Sequence, residues 1–325
     1  MDEPPNLVRV AMIPDRIHGR GAALALAVAL FLATPAATRA QDHSAHAAEH
    51  REMNERGTQA ASMAAQEPGM PPGAAAARAR LEASPRHGEW VVVKTGPADS
   101  VRAWVVYPER RERAPVVLVV HEIYGLTHWI RAVADQLAAD GFIAVAPDLL
   151  TMKNVPAGQD GDPERDAAVS AIRTLNPDDI HRQLRAVAAY GMGLPAATQR
   201  YGIVGFCWGG AASFAHAVRV PELGAAVVYY GTSPAPEELS SVRAPVLGLY
   251  GGNDARVNVT VPPADSAMKA LGKTFEYFMF EGAGHGFLRQ QDGQGGANLA
   301  AARQAWPRTV QWFRQYLEGE ARVGG

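Results

Sequence analysis

Tyr201-Gly202-Ile203-Val204-Gly205-Phe206-Cys207-Trp208-Gly209-Gly210 is the stretch on which the fold turns. Its apolar first half predicts a strand over Tyr201–Gly205, and a helix is predicted over Gly209–Val218. Between them lies G-x-C-x-G, the cysteine form of the turn that lifts a nucleophile between a strand and a helix. Side chains flanking such a turn would collide with neighbouring backbone, which is why glycines stand there; Gly210 lets the helix start close to the sheet. The positive end of that helix points at Cys207 and favours a thiolate. As a bare string the pattern is weak. Between an apolar strand and a helix it marks a nucleophile.

The surrounding chain supplies that context. Trp90–Val93 and Val101–Tyr107 predict an opening antiparallel pair, and Pro115–Val120 is an apolar run suited to a strand covered on both faces. Phe142–Ala146, Ala225–Tyr230, Pro245–Tyr250 and Phe275–Glu281 predict further strands. Helical periodicity falls on Trp129–Asp140, Pro163–Thr174, Asp178–Tyr190, Pro263–Leu271 and Asn298–Glu318. Strands alternating with helices of this length imply an α/β fold, a mostly parallel twisted sheet with helices on both faces. One domain is expected over 86–325.

A thiol nucleophile needs a base and a group that orients the base. In this class of fold the chain order is nucleophile, acid, histidine. Asp254 follows the strand Pro245–Tyr250 and the glycines Gly251-Gly252; His285 follows the last strand in the loop Glu281-Gly282-Ala283-Gly284-His285. Carboxyl ends of parallel strands are where such sheets gather their chemistry. His216 competes as the base but lies inside the helix after the turn. Asp265 and Asp292 compete as the acid from poorer positions.

Several segments together resemble the dienelactone hydrolases (carboxymethylenebutenolidases), a family with the α/β-hydrolase fold: His121-Glu122-Ile123-Tyr124-Gly125-Leu126, Ala146-Pro147-Asp148-Leu149, Val204–Gly210, Gly251–Asp254 and Gly284-His285-Gly286-Phe287. The resemblance covers roughly residues 116–317. It implies a lactone- or ester-opening hydrolase with Cys207 as nucleophile and His285 and Asp254 as its partners. Glu122 resembles the glutamate that contacts the resting thiol and shifts when substrate arrives, so that thiolate forms only then. The backbone N–H groups of Ile123 and Trp208 would form the oxyanion hole. Arg289 resembles an arginine that binds the substrate carboxylate; Arg165 is the candidate for a second, with Arg173 and Arg182 as alternatives. No metal or organic cofactor is implied. A broader carboxylesterase or thioesterase on the same residues, and a non-catalytic periplasmic binding protein, are the competing readings.

Composition narrows the partners. A formal net charge of -2 on 325 residues, with no basic run interleaved with aromatics, speaks against nucleic-acid binding. A small-molecule ester or lactone, anionic if the arginines engage it, is the expected partner, and a monomer the expected state. Residues 1–40 read as a signal peptide: Arg16, His18 and Arg20 precede an apolar stretch from Gly21 to Ala33, with small residues up to Ala40. The apolar run falls short of the ~20 residues of a membrane span, so no stable membrane anchor is expected. Export to the periplasm or beyond is predicted, with Met12 an alternative start to Met1. Residues 41–85 read as a flexible Ala/His/Pro-rich spacer, helical in patches, in which His43, His46 and His50 make a solvated tail, with metal chelation by them the alternative. Cys207 is the chain's one cysteine, so no internal disulfide supports the fold.

Overall fold

The computed structural model describes residues 67–318. The predicted signal peptide, the first part of the spacer and its three histidines lie outside the described residues.

Eight strands form one sheet in the order β1-β2-β4-β3-β5-β6-β7-β8. β1 (Gly88–Gly96) and β2 (Asp99–Val106) are the opening antiparallel pair, and β2 also runs antiparallel to β4 (Ile143–Asp148). From there the sheet is parallel, through β3 (Ala114–Val120), β5 (Ala197–Phe206), β6 (Ala225–Tyr229), β7 (Val246–Gly251) and β8 (Phe275–Phe280). Every residue of β3 is buried, as a strand covered on both faces requires.

Alternation along β3 divides the core into two layers, because successive side chains point to opposite faces. Val117 and Val119 pack in one layer with Ile130, Val133 and Leu137 of α2 (His128–Ala139) and with Trp306 and Phe313 of the closing helix. Val116, Leu118 and Val120 pack in the other. There they meet Leu184 and Val187 of α4 (Pro177–Met192), Phe214 of α5 (Trp208–Arg219) and Met268 of α7 (Val261–Ala270). Truncating a fully buried aromatic such as Phe313 to alanine would cost ~3–5 kcal/mol. α4 starts where the sequence says it should: Asn176 accepts a hydrogen bond from the Asp178 N–H, and Pro177 occupies the first turn. α3 (Arg165–Ile172), the short α6 (Ala255–Asn258) and α8 (Ala297–Phe313), which continues as a wider turn over Arg314–Glu318, complete the set.

The chain before the predicted domain holds a difference from expectation. Residues 67–85, assigned above to the flexible spacer, carry a helix, α1 (Ala74–Glu82), with Met70, Ala76 and Ala77 buried. The Trp129 Nε1–H donates to Pro72 O at 3.0 Å and the Gln291 side-chain amide to Pro71 O at 2.9 Å. Glu67 pairs with Arg303. α1 is Ala-rich, and its apolar residues do not repeat in a way that separates a packed helix from a solvated one. Its docking partners lie far along the chain, so no local pattern announces it.

Candidate active site

Three pairs of strand ends bring the predicted residues to the carboxyl edge of the sheet. Val120 of β3 is paired with Gly205 of β5, so Glu122 and Cys207 leave neighbouring strands together. Phe206 is paired with Tyr229, and the Cys207 N–H donates to Tyr229 O at 3.0 Å, placing Tyr230 beside the nucleophile turn. Gly251 of β7 is paired with Phe280 of β8, just before Asp254 and His285. The two loops beyond are tied by the Asn253 N–H donating to Ala283 O, and the His285 loop is tied to the closing helix by the Gly284 N–H donating to the Asn298 side chain, both at 2.9 Å.

Cys207 has φ 57° and ψ -115°, a backbone that non-glycine residues rarely adopt. Such strain persists only where surrounding structure holds it. A Cβ at Gly205 would lie 1.9 Å from Gly209 O, and one at Gly209 would lie 2.4 Å from His121 O. The glycines are therefore obligatory because β3, β5 and α5 approach each other too closely for any side chain.

The ionisation of Cys207 departs from the expectation set by the helix. The Trp208 N–H donates to the sulfur and lowers the thiol pKa, but burial, and then the negative charge of Glu122, raise it to about 11. Desolvation of a thiolate outweighs one helix terminus. At rest Cys207 is a thiol.

Glu122 is buried, and its carboxylate oxygen Oε2 lies 2.6 Å from Arg289 Nε. The ion-pair distance is short, yet the Nε–H does not point along it and counts as unsatisfied. The charge contact is sound; the hydrogen bond is poorly formed. Burial raises the Glu122 pKa to about 7, against the opposing pull of Arg289 and, more weakly, Arg165. The turn carrying Glu122 and Ile123 is fixed by His121. The Leu149 N–H can only donate, so His121 Nε2 accepts from it at 3.2 Å, and Nδ1–H donates to Glu122 O at 2.8 Å. Burial holds this imidazole neutral by lowering its pKa. Neither the Ile123 nor the Trp208 N–H enters a turn or loop hydrogen bond to backbone among the described residues. The Ile123 N–H is thus without a backbone partner there, while the Trp208 N–H is engaged at rest by the Cys207 sulfur.

His285 Nδ1 lies 2.5 Å from Asp254 Oδ2, with Asp254 buried and His285 partly exposed. An ionised carboxylate only accepts, so Nδ1 carries the proton and Nε2 is left as a base. The competitors are engaged elsewhere. His216 is fully buried between His181 and Tyr201, 3.2 Å from each, Asp265 pairs with Lys269, and Asp292 is exposed.

Arg165 and Arg289 line one cleft of about 350 Å³. Tyr124 stands between them: Arg165 Nη2–H donates to its hydroxyl at 2.6 Å, and both guanidiniums lie over its ring, at 3.9 and 5.3 Å from the centroid. Arg182 is tied instead to Asp99, Asp179 and Thr95 O, and Arg173 is exposed at the end of α3.

Sequence reasoning missed Tyr124 and Tyr230. Tyr230 has φ 40°, its ring centroid lies 5.2 Å from that of His285, and its buried hydroxyl has no hydrogen-bond partner among the described residues. Burial, and then the negative charge of Glu122, raise its pKa well above the ordinary tyrosine value against the pull of Arg289. Its one signal was position: it is the first residue past a buried strand, next to a glycine.

An eight-stranded, mostly parallel sheet with a strained, glycine-flanked strand-to-helix turn and a His–Asp pair at its carboxyl edge defines the α/β-hydrolase fold. Within that class the sequence model of the dienelactone hydrolase family matches residues 101–317, and the chain belongs to that family. A Salmonella typhimurium protein provisionally named carboxymethylenebutenolidase is 33% identical over 235 residues, covering 67% of this chain and 84% of that one. A corresponding Escherichia coli protein is 32% identical, with 67% and 83% covered. The crystal structure of a Klebsiella pneumoniae protein provisionally named dienelactone hydrolase superposes with a TM-score of 0.62 at 26% identity, covering 71% of this chain and 99% of that one.

Proposed function

We propose that this protein opens an ester or lactone that carries a carboxylate, by way of an acyl-enzyme on Cys207. The observation that carries the reading is the strained turn at Cys207 set beside the buried Glu122–Arg289 pair. A resting thiol beside a carboxyl of near-neutral pKa is poised for a proton transfer that the substrate triggers.

The substrate carboxylate enters the cleft and binds Arg165 and Arg289, since a guanidinium grips a carboxylate with two parallel hydrogen bonds. Arg289 then shares its charge with the substrate, and its hold on Glu122 weakens. Glu122 takes the Cys207 proton. The thiolate attacks the carbonyl carbon, and the oxyanion that forms is held by the Ile123 and Trp208 N–H groups; losing one such donor costs ~3 kcal/mol of transition-state stabilisation. Collapse breaks the acyl C–O bond and leaves a thioester on Cys207. The departing enolate or alkoxide oxygen takes the proton that Glu122 received from Cys207. Water, deprotonated by His285 Nε2, attacks the thioester; the acid leaves and the thiolate is reprotonated. Asp254 holds the imidazole in its tautomer and stabilises its charged form.

Export across a membrane, read from residues 1–40, belongs to the same proposal, with mature protein recovered in the periplasm as its test. For the chemistry, Cys207→Ala is assayed on a neutral p-nitrophenyl ester and on an anionic one. Loss of turnover on both is expected, and retention of most activity would refute the mechanism. A preference for the neutral ester, with indifference to Arg289→Ala, would replace the anionic substrate with a general one.

A further inference from the structure

The segment that docks ahead of the family domain reaches the same cleft. Ala74 N–H, at the start of α1, donates to Arg289 O at 2.9 Å. One turn later Arg78 Nη1–H donates to Asp160 O at 3.2 Å, in the loop that leads into Arg165. α1 is thus bonded to both of the segments that carry the cleft's arginines. Pro71 and Pro72, held by Gln291 and Trp129, anchor the chain just ahead of that contact. Arg78 itself lines the cleft with Tyr124, His128, Arg165 and Arg289. Its Nε is paired with Glu82 at 3.1 Å and its Nη1 is spent on Asp160 O, while among the described residues no hydrogen bond or ion pair engages Nη2.

The cleft's charges are unevenly neutralised. His128 Nδ1 and the His128 N–H take up Asp162, and Asp160 accepts from the Asp162 N–H. Among the described residues Arg165 meets only the neutral Tyr124 hydroxyl at hydrogen-bond distance. The wall therefore presents one guanidinium without a carboxylate partner, one shared with Glu122, and a third on α1 at the outer edge.

Building on the hydrolase reading, we propose that Arg78 is a specificity-determining residue that α1 brings to the substrate cleft. It recognises a carboxylate remote from the bond that is broken. The preferred substrates are then esters or lactones with a carboxylate-bearing arm long enough to reach past Arg165 and Arg289. This property resides in a helix outside the stretch that matches the family, residues 101–317.

The test compares the mono-p-nitrophenyl ester of glutaric acid with neutral p-nitrophenyl butyrate, in full-length wild type, Arg78→Ala, Arg78→Glu and Arg78→Lys. Arg78 is largely exposed, so a modest effect is expected: the anionic-to-neutral ratio of kcat/KM falls ~2–5-fold in Arg78→Ala, through KM of the anionic ester. Arg78→Glu lowers it further, Arg78→Lys restores most of it, and added salt compresses the differences. Calorimetric binding of glutarate to wild type and Arg78→Glu reads the same contact without turnover, and weaker binding to the variant is expected. An unchanged ratio with unchanged glutarate binding overturns the proposal, as does a fall in kcat on both esters with a lowered melting temperature. If Cys207→Ala retains turnover, the hydrolase reading fails whatever Arg78 does; if turnover depends on Cys207 while the Arg78 variants behave as wild type, only the role of Arg78 fails.

Discussion

Because Cys207 is the chain's one cysteine, its resting ionisation can be read directly, with the unfolded chain as an internal reference. Burial and Glu122 lift the thiol from 9.0 to about 11. At pH 7.5 that shift leaves roughly 100-fold less thiolate than in the urea-unfolded chain, since each pKa unit is tenfold in the ionised fraction. A more basic thiolate is also a better nucleophile, and with a Brønsted slope of ~0.45 the two-unit rise returns about 8-fold. The net expectation is a reaction roughly 10-fold slower in the folded protein than in urea with a neutral aromatic disulfide such as 4,4′-dithiodipyridine. The pH profile separates ionisation from mere shielding: the native rate should still be climbing where the unfolded rate has levelled off. Glu122→Gln removes a negative neighbour of the sulfur, so the native midpoint should move down and the rate at pH 7.5 should rise. A native midpoint at or below that of the unfolded chain, or an upward shift in Glu122→Gln, would refute the account of a thiol held protonated until substrate arrives.

Other outcomes follow from the same geometry. His285→Ala should lower kcat by ~10²–10⁴, the usual worth of a positioned general base, with the melting temperature little changed; a loss under tenfold would remove His285 from the mechanism. Asp254→Asn should act through the tautomer of His285, lowering kcat more than it raises KM. Gly205→Ala places a methyl 1.9 Å from Gly209 O, between rigid backbones, so destabilisation of ~3 kcal/mol or more is expected in urea melts. Acid should weaken the fold through the stacked pair of buried histidines, whose pKa values burial lowers to about 4 in His181 and about 3 in His216. Both groups are neutral when folded and charge when unfolded, so their contribution is present above pH ~6.5 and is lost as pH falls toward 4. Glu122, raised to about 7, works in the opposite direction by losing stability as pH rises from 4.5 to 7. Two depressed histidines outweigh one raised carboxyl, so stability should rise from pH 4.5 to 6.5 and more steeply in Glu122→Gln. A flat or falling profile would contradict the burial of the pair.

Much of this was legible along the chain because the signals are local. The runs at Pro115–Val120, Tyr201–Gly205 and Pro245–Tyr250 are apolar without alternation, which is how strands covered on both faces read. The predicted helices meet α2 to α5, α7 and α8 within a few residues, since their caps and periodicity are written nearby. Cys207, Asp254 and His285 stood out because each lies at a glycine-marked strand end, and the turn around Cys207 has steric demands that only a few residues can meet.

What the linear chain left open were the quantities set by neighbours far apart in sequence. A helix N-terminus beside Cys207 argues for a thiolate, but the desolvation that reverses the balance comes from strands and loops brought together only by folding. The two arginines of the cleft come from α3 and from the loop after β8, so the choice of Arg165 over Arg182 needed the fold to place one beside Tyr124 and the other against Asp99. Helix α1 carries no pattern that tells docking from solvation, since its worth lies in bonds to Trp129, Gln291 and Arg289. Order along the chain determined which groups could react; the packing of distant segments decided their charge, their partners and the shape of the space before them.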